Sequence, residues 1–324
     1  MYAHAQAPAR IGIAGGGTDL LAWTSSRRGF CLSLAINTHA HAVVITRPDR
    51  QVVAVYRERH SANAATEIAN GLIRESALMH GWEDGFEVHT ISEVSSYGSG
   101  LGVSSSFAVC LAAAFSRMSR LRKGDLSEDE TSLQSIARGA WEVEIDRLRR
   151  PIGRQDHMAA VHGGLRLYAF EKDRATVERS FSDEDATWVA NHLVLVKLPE
   201  GHDSRAILSN VKNAGQLQSA FEAVPIAVRA IEERSVALLG AVLLAGQSSK
   251  RSIPGAVPPS IEALTDVIQD VPEVYGCKIA GAGGGGHLVV ACGTSAIDAL
   301  REKTRLAVLQ VHPDHRGVRS EGWL

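Results

Sequence analysis

The chain has no surplus of charge of either sign, with 34 Lys and Arg against 36 Asp and Glu across 324 residues. That balance argues against nucleic acid or an acidic membrane surface as a partner. Long apolar runs are missing as well. The longest, residues 236–245, falls far short of the ~20 residues a bilayer crossing needs, and the first residues lack the apolar core of a secretory signal. Cys31, Cys110, Cys277 and Cys292 occur singly with no CxxC, which reads as reduced thiols in a cytoplasmic protein. The GxxxxGK[ST] of a Walker loop, a GxGxxG set between a strand and a helix with an acidic residue about twenty later, as in a dinucleotide fold, and any HExxH or Cys/His array are also absent. The 13 histidines are scattered. His157 reads as a core or surface histidine.

Glycine is what the chain does concentrate. It clusters in three segments, 8–20 (PARIGIAGGGTDL), 95–107 (SSYGSGLGVSSSF) and 278–290 (KIAGAGGGGHLVV), each beside an apolar, strand-like stretch. In the middle segment Gly98, Gly100 and Gly102 alternate with Ser99 and Leu101. Val103 and the serines Ser104, Ser105 and Ser106 then lead into a small, apolar run that suits a buried helix. Glycines let backbone approach a ligand closely. A helix starting among the serines would point free N–H groups and the positive end of its dipole at that loop, which makes an anion site. The residues alone also allow a Gly/Ser loop with a serine-capped helix.

Length suggests about two domains at ~150 residues each. Strand-like stretches are expected around Ile11 and Ile13 and over 31–36, 42–46, 51–56, 86–91 and 163–170, with helices over 66–80 and 127–149, the last stopped by Pro151. The polar stretch 171–185 is the expected junction, giving domains 1–180 and 181–324. Beyond it come a strand over 192–198, helices within 204–247 and 259–271, and strands flanking the last glycine turn.

Order and content of the three segments resemble the GHMP kinase superfamily over nearly the whole chain. The resemblance implies an α+β, two-domain fold, with an N-terminal mixed α/β domain carrying the phosphate loop and a C-terminal ferredoxin-like domain. Val103 departs from the family, which has Ser or Thr after GLG. The AGGGTD of the first motif, the IGRQDH of 152–157 and the DSRAIL of 203–208 are similar to the D-glycero-D-manno-heptose 7-phosphate kinase branch. That branch implies an ATP- and Mg²⁺-dependent transfer to the anomeric hydroxyl of a heptose already bearing a 7-phosphate, with small-molecule partners only and room for a homodimer. An L-fucose kinase and a non-catalytic sugar or nucleotide sensor are the alternatives.

By that resemblance Asp156 is the base and Arg10 the cation beside it and the transferred phosphate; the residues alone allow a turn cap and a structural ion pair. Residues 98–106 would bind the nucleotide phosphates. Ser104 and Glu144 would hold the metal, with Glu142 the runner-up. Two residues apart on a helix do not share a face, so only one can point inward. Gly15, Gly16, Gly17, Thr18 and Asp19 would contact the sugar, as would Gly283, Gly284 and Gly285 from the other domain. Arg205 would meet the 7-phosphate; Lys250, Arg251, Arg147, Arg149 and Arg150 are further cations, each equally suited to a helix end.

Overall fold

The computed structural model describes residues 1–94, 98–125, 132–199 and 204–323, with the backbone alone for Ser204 and Arg205. Its first sheet is built on two long strands. β1 (Tyr2–Ala14) pairs antiparallel with β2 (Gly29–Thr46), an 18-residue strand where the sequence pattern had suggested two short ones. A register shift near Pro8 and Ala9 marks where the pair bends.

The other edge of β2 is shared. Its first half pairs with β6 (Leu165–Glu171) and its second with β5 (Phe86–Ser92), which continues to β3 (Val52–Val55) and β4 (Arg59–Ala62). β7 (Arg174–Ser180) extends β6 as a hairpin. It occupies the polar stretch read from sequence as a junction. Charges there reflect an outer strand whose exposed side chains suit an edge, with only Ala175 fully buried.

Helices cover one face of this sheet. α1 (Leu21–Thr24) is a single turn, and α2 (Gly71–Met79) starts later than the sequence suggests because Asn70 caps it. α3 (Val103–Arg122) packs on β1 and β2. Close approach is possible because both surfaces are small: Ala3, Ala5, Ala7 and Ala9 face inward from β1, and Ala112, Ala113 and Ala114 are buried in α3. α4 (Leu133–Trp141), capped by Ser132, widens into a π-helical segment, Glu142–Arg147, before α5 (Gln155–His162). The start of the helix expected over 127–149 lies outside the described residues up to 131.

The second sheet has the order β11 (Val308–Gln310), β8 (Leu193–Lys197), β10 (His287–Cys292), β9 (Val274–Ile279), all antiparallel. Every residue of β10 is buried, because both faces are covered. α6 (Asp183–Asn191) leads into this sheet, and the short α7 (Ser204–Leu208) follows β8. α8 (Gln218–Glu232) and α9 (Val236–Arg251) lie between the sheets, with α9 touching β9, β10 and β1. α10 (Pro259–Gln269) and α11 (Ala296–Thr304) flank the second sheet, and the core on their side is formed by Ile268, Ile279, Leu288 and Leu300. No helix among the described residues is long and apolar enough to cross a membrane.

The chain ends back in the first sheet. β12 (Arg319–Trp323) pairs with β1, so its last strand and its first share an edge. Asp314 ties this return in place. Its buried carboxylate accepts from Gly317 N at 2.7 Å and Arg316 N at 3.0 Å, and lies 2.9 Å from His39 Nε2 on β2. Burial pushes its pKa up, but the His39 bond and the two backbone donors outweigh it, and the pKa is lowered. Asp314→Ala is expected to lower stability by roughly 2–4 kcal/mol, since it leaves buried donors unpaired. Because the folded pKa is depressed, this contribution is present above the ordinary carboxylate value of 3.8 and fades as pH falls below it. The difference in denaturant midpoint between wild type and variant should be full at pH 7 and narrow as pH falls below 3.8.

Candidate functional site

A cavity of about 340 Å³ opens between the sheets, lined from the first glycine turn, the 98–105 loop, the segment around Asp156, and helices α8 and α9. That size is within the range of small-molecule sites. Each wall follows from local sequence.

The glycine loop reaches the cavity because α3 has no side chain at its entry. Gly102 stands at the N-cap with φ 75°. A Cβ there would sit 3.2 Å from Arg10 Nε and from Asp156 Oδ2, so glycine serves both the left-handed backbone and the charged pair behind it. Arg10, on β1, donates through Nε to Asp156 Oδ1 at 2.7 Å and through Nη1 to the Gly100 carbonyl at 2.6 Å. Its Nη2 is 2.6 Å from the same Oδ1. Both guanidinium contacts fall on one oxygen of Asp156, and no donor among the described residues reaches Oδ2, which faces the loop. One motif residue from β1, one from the loop and one from α5 thus meet at a single point.

Glu144 is the second centre. The π-helical turn carries it inward: Leu148 N bonds to the Val143 carbonyl and Arg150 N to that of Glu144, beyond the α-helical register, and such turns are frequent at functional sites. Glu144 is 1% exposed, whereas the side chain of Glu142 is 42% exposed and turned to Arg147. Ser104 Oγ donates to Glu144 Oε1 at 3.1 Å and Ser105 Oγ to Oε2 at 2.8 Å. His157 Nε2 lies 2.8 Å from Oε2, and Arg150 Nη1 bonds to Oε1 and, at 3.2 Å, to Ser104 Oγ. Burial alone would raise this carboxyl's pKa. The His157 bond and charge, the Arg150 charge and Ser105 outweigh it and bring the pKa down to about 2. Glu144 is therefore ionised at neutral pH. An oxygen-only set of one ionised carboxylate and one hydroxyl fits a hard divalent cation such as Mg²⁺, which takes few protein ligands beside phosphates and water. Among the described residues no group of three or more His, Cys, Asp or Glu could hold a metal ion.

Asp19 closes the first glycine turn. It accepts from Gln155 N at 2.9 Å and Gln155 Nε2 at 3.0 Å. Gly153 permits this, since a Cβ there would come 1.9 Å from Asp19 Oδ2. Burial and the nearby Asp156 charge raise the Asp19 pKa, against the Gln155 N–H. Gly15, Gly16 and Gly17 line the cavity beside it.

Not every expected contact faces this space. Thr18 is fully buried, with its hydroxyl 2.9 Å from the Gly15 and Phe30 carbonyls, so it holds the turn from behind. Leu101 is in the core and its carbonyl accepts from Arg10 N; Ser106 Oγ donates to the Pro8 carbonyl. Gly283, Gly284 and Gly285 do not line the cavity. Their turn leans on Ala256, whose carbonyl accepts from Gly284 N at 2.7 Å, and Gly281 and Ala282 take the lining positions. Arg205 is on α7, and its side chain lies outside the described residues.

Sequence reasoning missed Gln155, the link between His157 and Glu144, and above all Lys278. This lysine is 6% exposed, lines the cavity and donates to the Ile13 carbonyl at 2.9 Å. Its signal was a lone charge inside the apolar strand β9. Lys250, on α9, donates to the Gly281 carbonyl. The residue is half-buried, and burial lowers its pKa to about 8, with the Arg10 charge adding. Burial, then Lys250, then Arg10 bring Lys278 down to about 7.

An unfolded Lys278 holds its proton up to about 10.5, so between pH 7 and 10.5 the unfolded chain binds more protons and stability rises with pH. Below pH 7 the cost of burying the charge is complete. Lys278→Met is therefore expected to stabilise the protein by roughly 1–3 kcal/mol at pH 6, after allowance for the lost Ile13 bond. That gain should shrink by pH 9, as read from urea unfolding at both pH values.

Known proteins converge on the same architecture. The family model for the GHMP kinase N-terminal domain matches residues 63–164. A D-glycero-alpha-D-manno-heptose 7-phosphate kinase of Campylobacter jejuni subsp. jejuni serotype O:2 is 27% identical over 203 residues, 58% of this chain. The match spans 56% of that curated relative, little more than half its length. Among solved structures, a D-glycero-D-manno-heptose 1-phosphate kinase from Bacteriodes thetaiotaomicron superposes with a TM-score of 0.76 at 18% identity, covering 99% of each chain. A Lactococcus lactis galactokinase complexed with galactose gives 0.73 at 14% identity, over 98% of this chain and 95% of that one. At such identities these structures speak for the fold. Residues 63–164 thus match the GHMP kinase N-terminal domain, about a third of the chain, and the fold around them is the one seen in the heptose 1-phosphate kinase and galactokinase structures.

Proposed function

We propose that the protein is an ATP-dependent sugar kinase that phosphorylates the anomeric (1-) hydroxyl of D-glycero-D-manno-heptose 7-phosphate, giving the 1,7-bisphosphate. The observation that carries this reading is the meeting of Arg10, Asp156 and the glycine loop in one cavity with Glu144. Phosphoryl transfer relies chiefly on positioning and charge neutralisation, and it needs a base, an anion cradle and a metal-holding carboxylate close together. The C. jejuni relative supports the choice of a heptose phosphate.

In this reading the loop of residues 98–105 cradles the nucleotide phosphates with its backbone and the N-terminus of α3. A magnesium ion bound with the nucleotide would neutralise charge on the β- and γ-phosphates, and Glu144 with Ser104 would hold it. Arg150, now on both residues, would have to give way. The acceptor hydroxyl lies against Asp156 Oδ2, the oxygen Arg10 leaves open, and its proton passes to that oxygen as the nucleophile attacks. Arg10 keeps Asp156 oriented. Asp19 and Gln155 meet the sugar hydroxyls beside the first glycine turn. The product suits nucleotide-heptose supply for surface polysaccharide.

Two measurements test the reading. Release of ADP with ATP and Mg²⁺ is expected with D-glycero-D-manno-heptose 7-phosphate and not with L-fucose, galactose or mevalonate; turnover confined to L-fucose would discard the heptose assignment. Asp156→Asn should lower kcat by about 10²–10⁴-fold, the usual contribution of a positioned base, with affinity for an ATP analogue changed by less than about threefold. Near-normal turnover in that variant would remove Asp156 from the role.

A further inference from the structure

Among the described residues four cationic side chains line the cavity: Arg10, Arg150, Lys250 and Lys278. The two arginines are already engaged, Arg10 by Asp156 and Arg150 by Glu144. The two lysines are not. An ammonium group has three N–H donors, and each lysine uses one, on a carbonyl: Lys278 on Ile13 and Lys250 on Gly281. Among the described residues neither makes an ion pair with a carboxylate. Two amines, one close enough to disfavour the charge of the other, are thus set in one cavity with four donors to spare.

This arrangement is built. Gly246 on α9 leaves room for the Lys278 stem, since a Cβ there would lie 3.1 Å from Lys278 Cδ. Lys278 then reaches from β9 in the second sheet to Ile13 at the end of β1, just ahead of the first glycine turn. Buried cations without partners are costly, so their retention calls for an anion delivered from outside. A phosphate monoester supplies one, with enough acceptor oxygens for the spare donors and strong charge-assisted hydrogen bonds. The nucleotide's phosphates have their own donors in the 98–105 loop and the N-terminus of α3. The lysines approach from α9 and β9, and Lys278 ends beside the glycine turn on the acceptor side.

We propose that Lys250 and Lys278 form a second phosphoryl site in the cavity, one that takes the phosphate monoester already present on the acceptor. The inference rests on the sugar-phosphate kinase reading above and assigns to these two lysines the contact expected of Arg205.

Calorimetric titration at pH 7 tests it, using wild type, Lys250→Met and Lys278→Met. The ligands are D-glycero-D-manno-heptose 7-phosphate, the same heptose without phosphate, and a non-hydrolysable ATP analogue. Wild type should favour the phosphorylated sugar by about thirtyfold or more, and each variant should lose at least about tenfold of that preference, as charged hydrogen bonds of this kind warrant. Thermal melting confirms folding, and Lys250→Gln and Lys278→Gln replace either variant that fails. Variants that keep the wild-type preference overturn the inference alone. Variants that keep it and lose affinity for the ATP analogue also overturn it, and place the lysines on the transferred phosphate instead. A wild type indifferent to the 7-phosphate overturns it together with the choice of acceptor.

Discussion

The carboxylate of Glu144 is the constraint on which the rest of the site depends. A charge so nearly removed from water is strongly disfavoured unless donors surround it. Here they come from three separate pieces of chain: Ser104 and Ser105 at the start of α3, His157 on α5, and Arg150 beyond the π-helical turn. Satisfying one buried ion therefore fixes how the 98–105 loop, the π-helical turn and the helix bearing Asp156 sit together. With His157 anchored on Glu144, its neighbour Asp156 is held where Arg10 can reach it. Loss of any one donor would be felt at the others, because the network is shared.

The sequence made some of this plain and concealed the rest, for physical reasons. The loop was legible because Gly98, Gly100 and Gly102 alternate directly before a helix-forming apolar run, a pattern that few backbone arrangements other than a close-approach loop require. That only one of Glu142 and Glu144 points inward followed from helical spacing, the choice of Glu144 came from the resemblance, and the structure separates them, one at 1% and the other at 42% exposure. The π-helical turn was not legible, since an inserted residue in a helix leaves no periodic mark over six residues. Nor was the hairpin of β6 and β7: an edge strand carrying Arg174, Glu178 and Arg179 has the composition of a linker, and only its pairing reveals it. The same holds for Asp314, an ordinary loop residue until the chain brings it to His39 from 275 positions away.

Glycine-rich motifs also mislead in a particular way. A run such as residues 283–286 is needed wherever backbone packs tightly on backbone, and here that is Ala256 and the carbonyls of Gly98 and Ser99. The sequence shows that close approach occurs, not what is approached. In the first and second motifs the approach leaves space for a ligand. In the third, most of it is spent joining the second sheet to the phosphate loop, with His287 Nδ1 2.8 Å from the Ser99 carbonyl as a further tie. Lys278 at its start, with Gly281 and Ala282, keeps a face to the cavity.

That junction shows why Lys278 matters more than its exposure suggests. It lies in a strand whose neighbours Cys277 and Ile279 are fully buried, where a Leu or Met would pack as well and cost nothing to desolvate. Its single bond to Ile13 links the second sheet to the first strand of the chain. A structural tie alone would not require a charge, since a neutral donor can serve a carbonyl. Placing it beside Lys250 works against folding, because the Lys250 charge adds to burial in lowering its tendency to hold a proton. Proteins tolerate such local conflict chiefly at sites of function. A phosphate dianion between the two amines would reverse the sign of the conflict, since an opposite charge favours the protonated form of each.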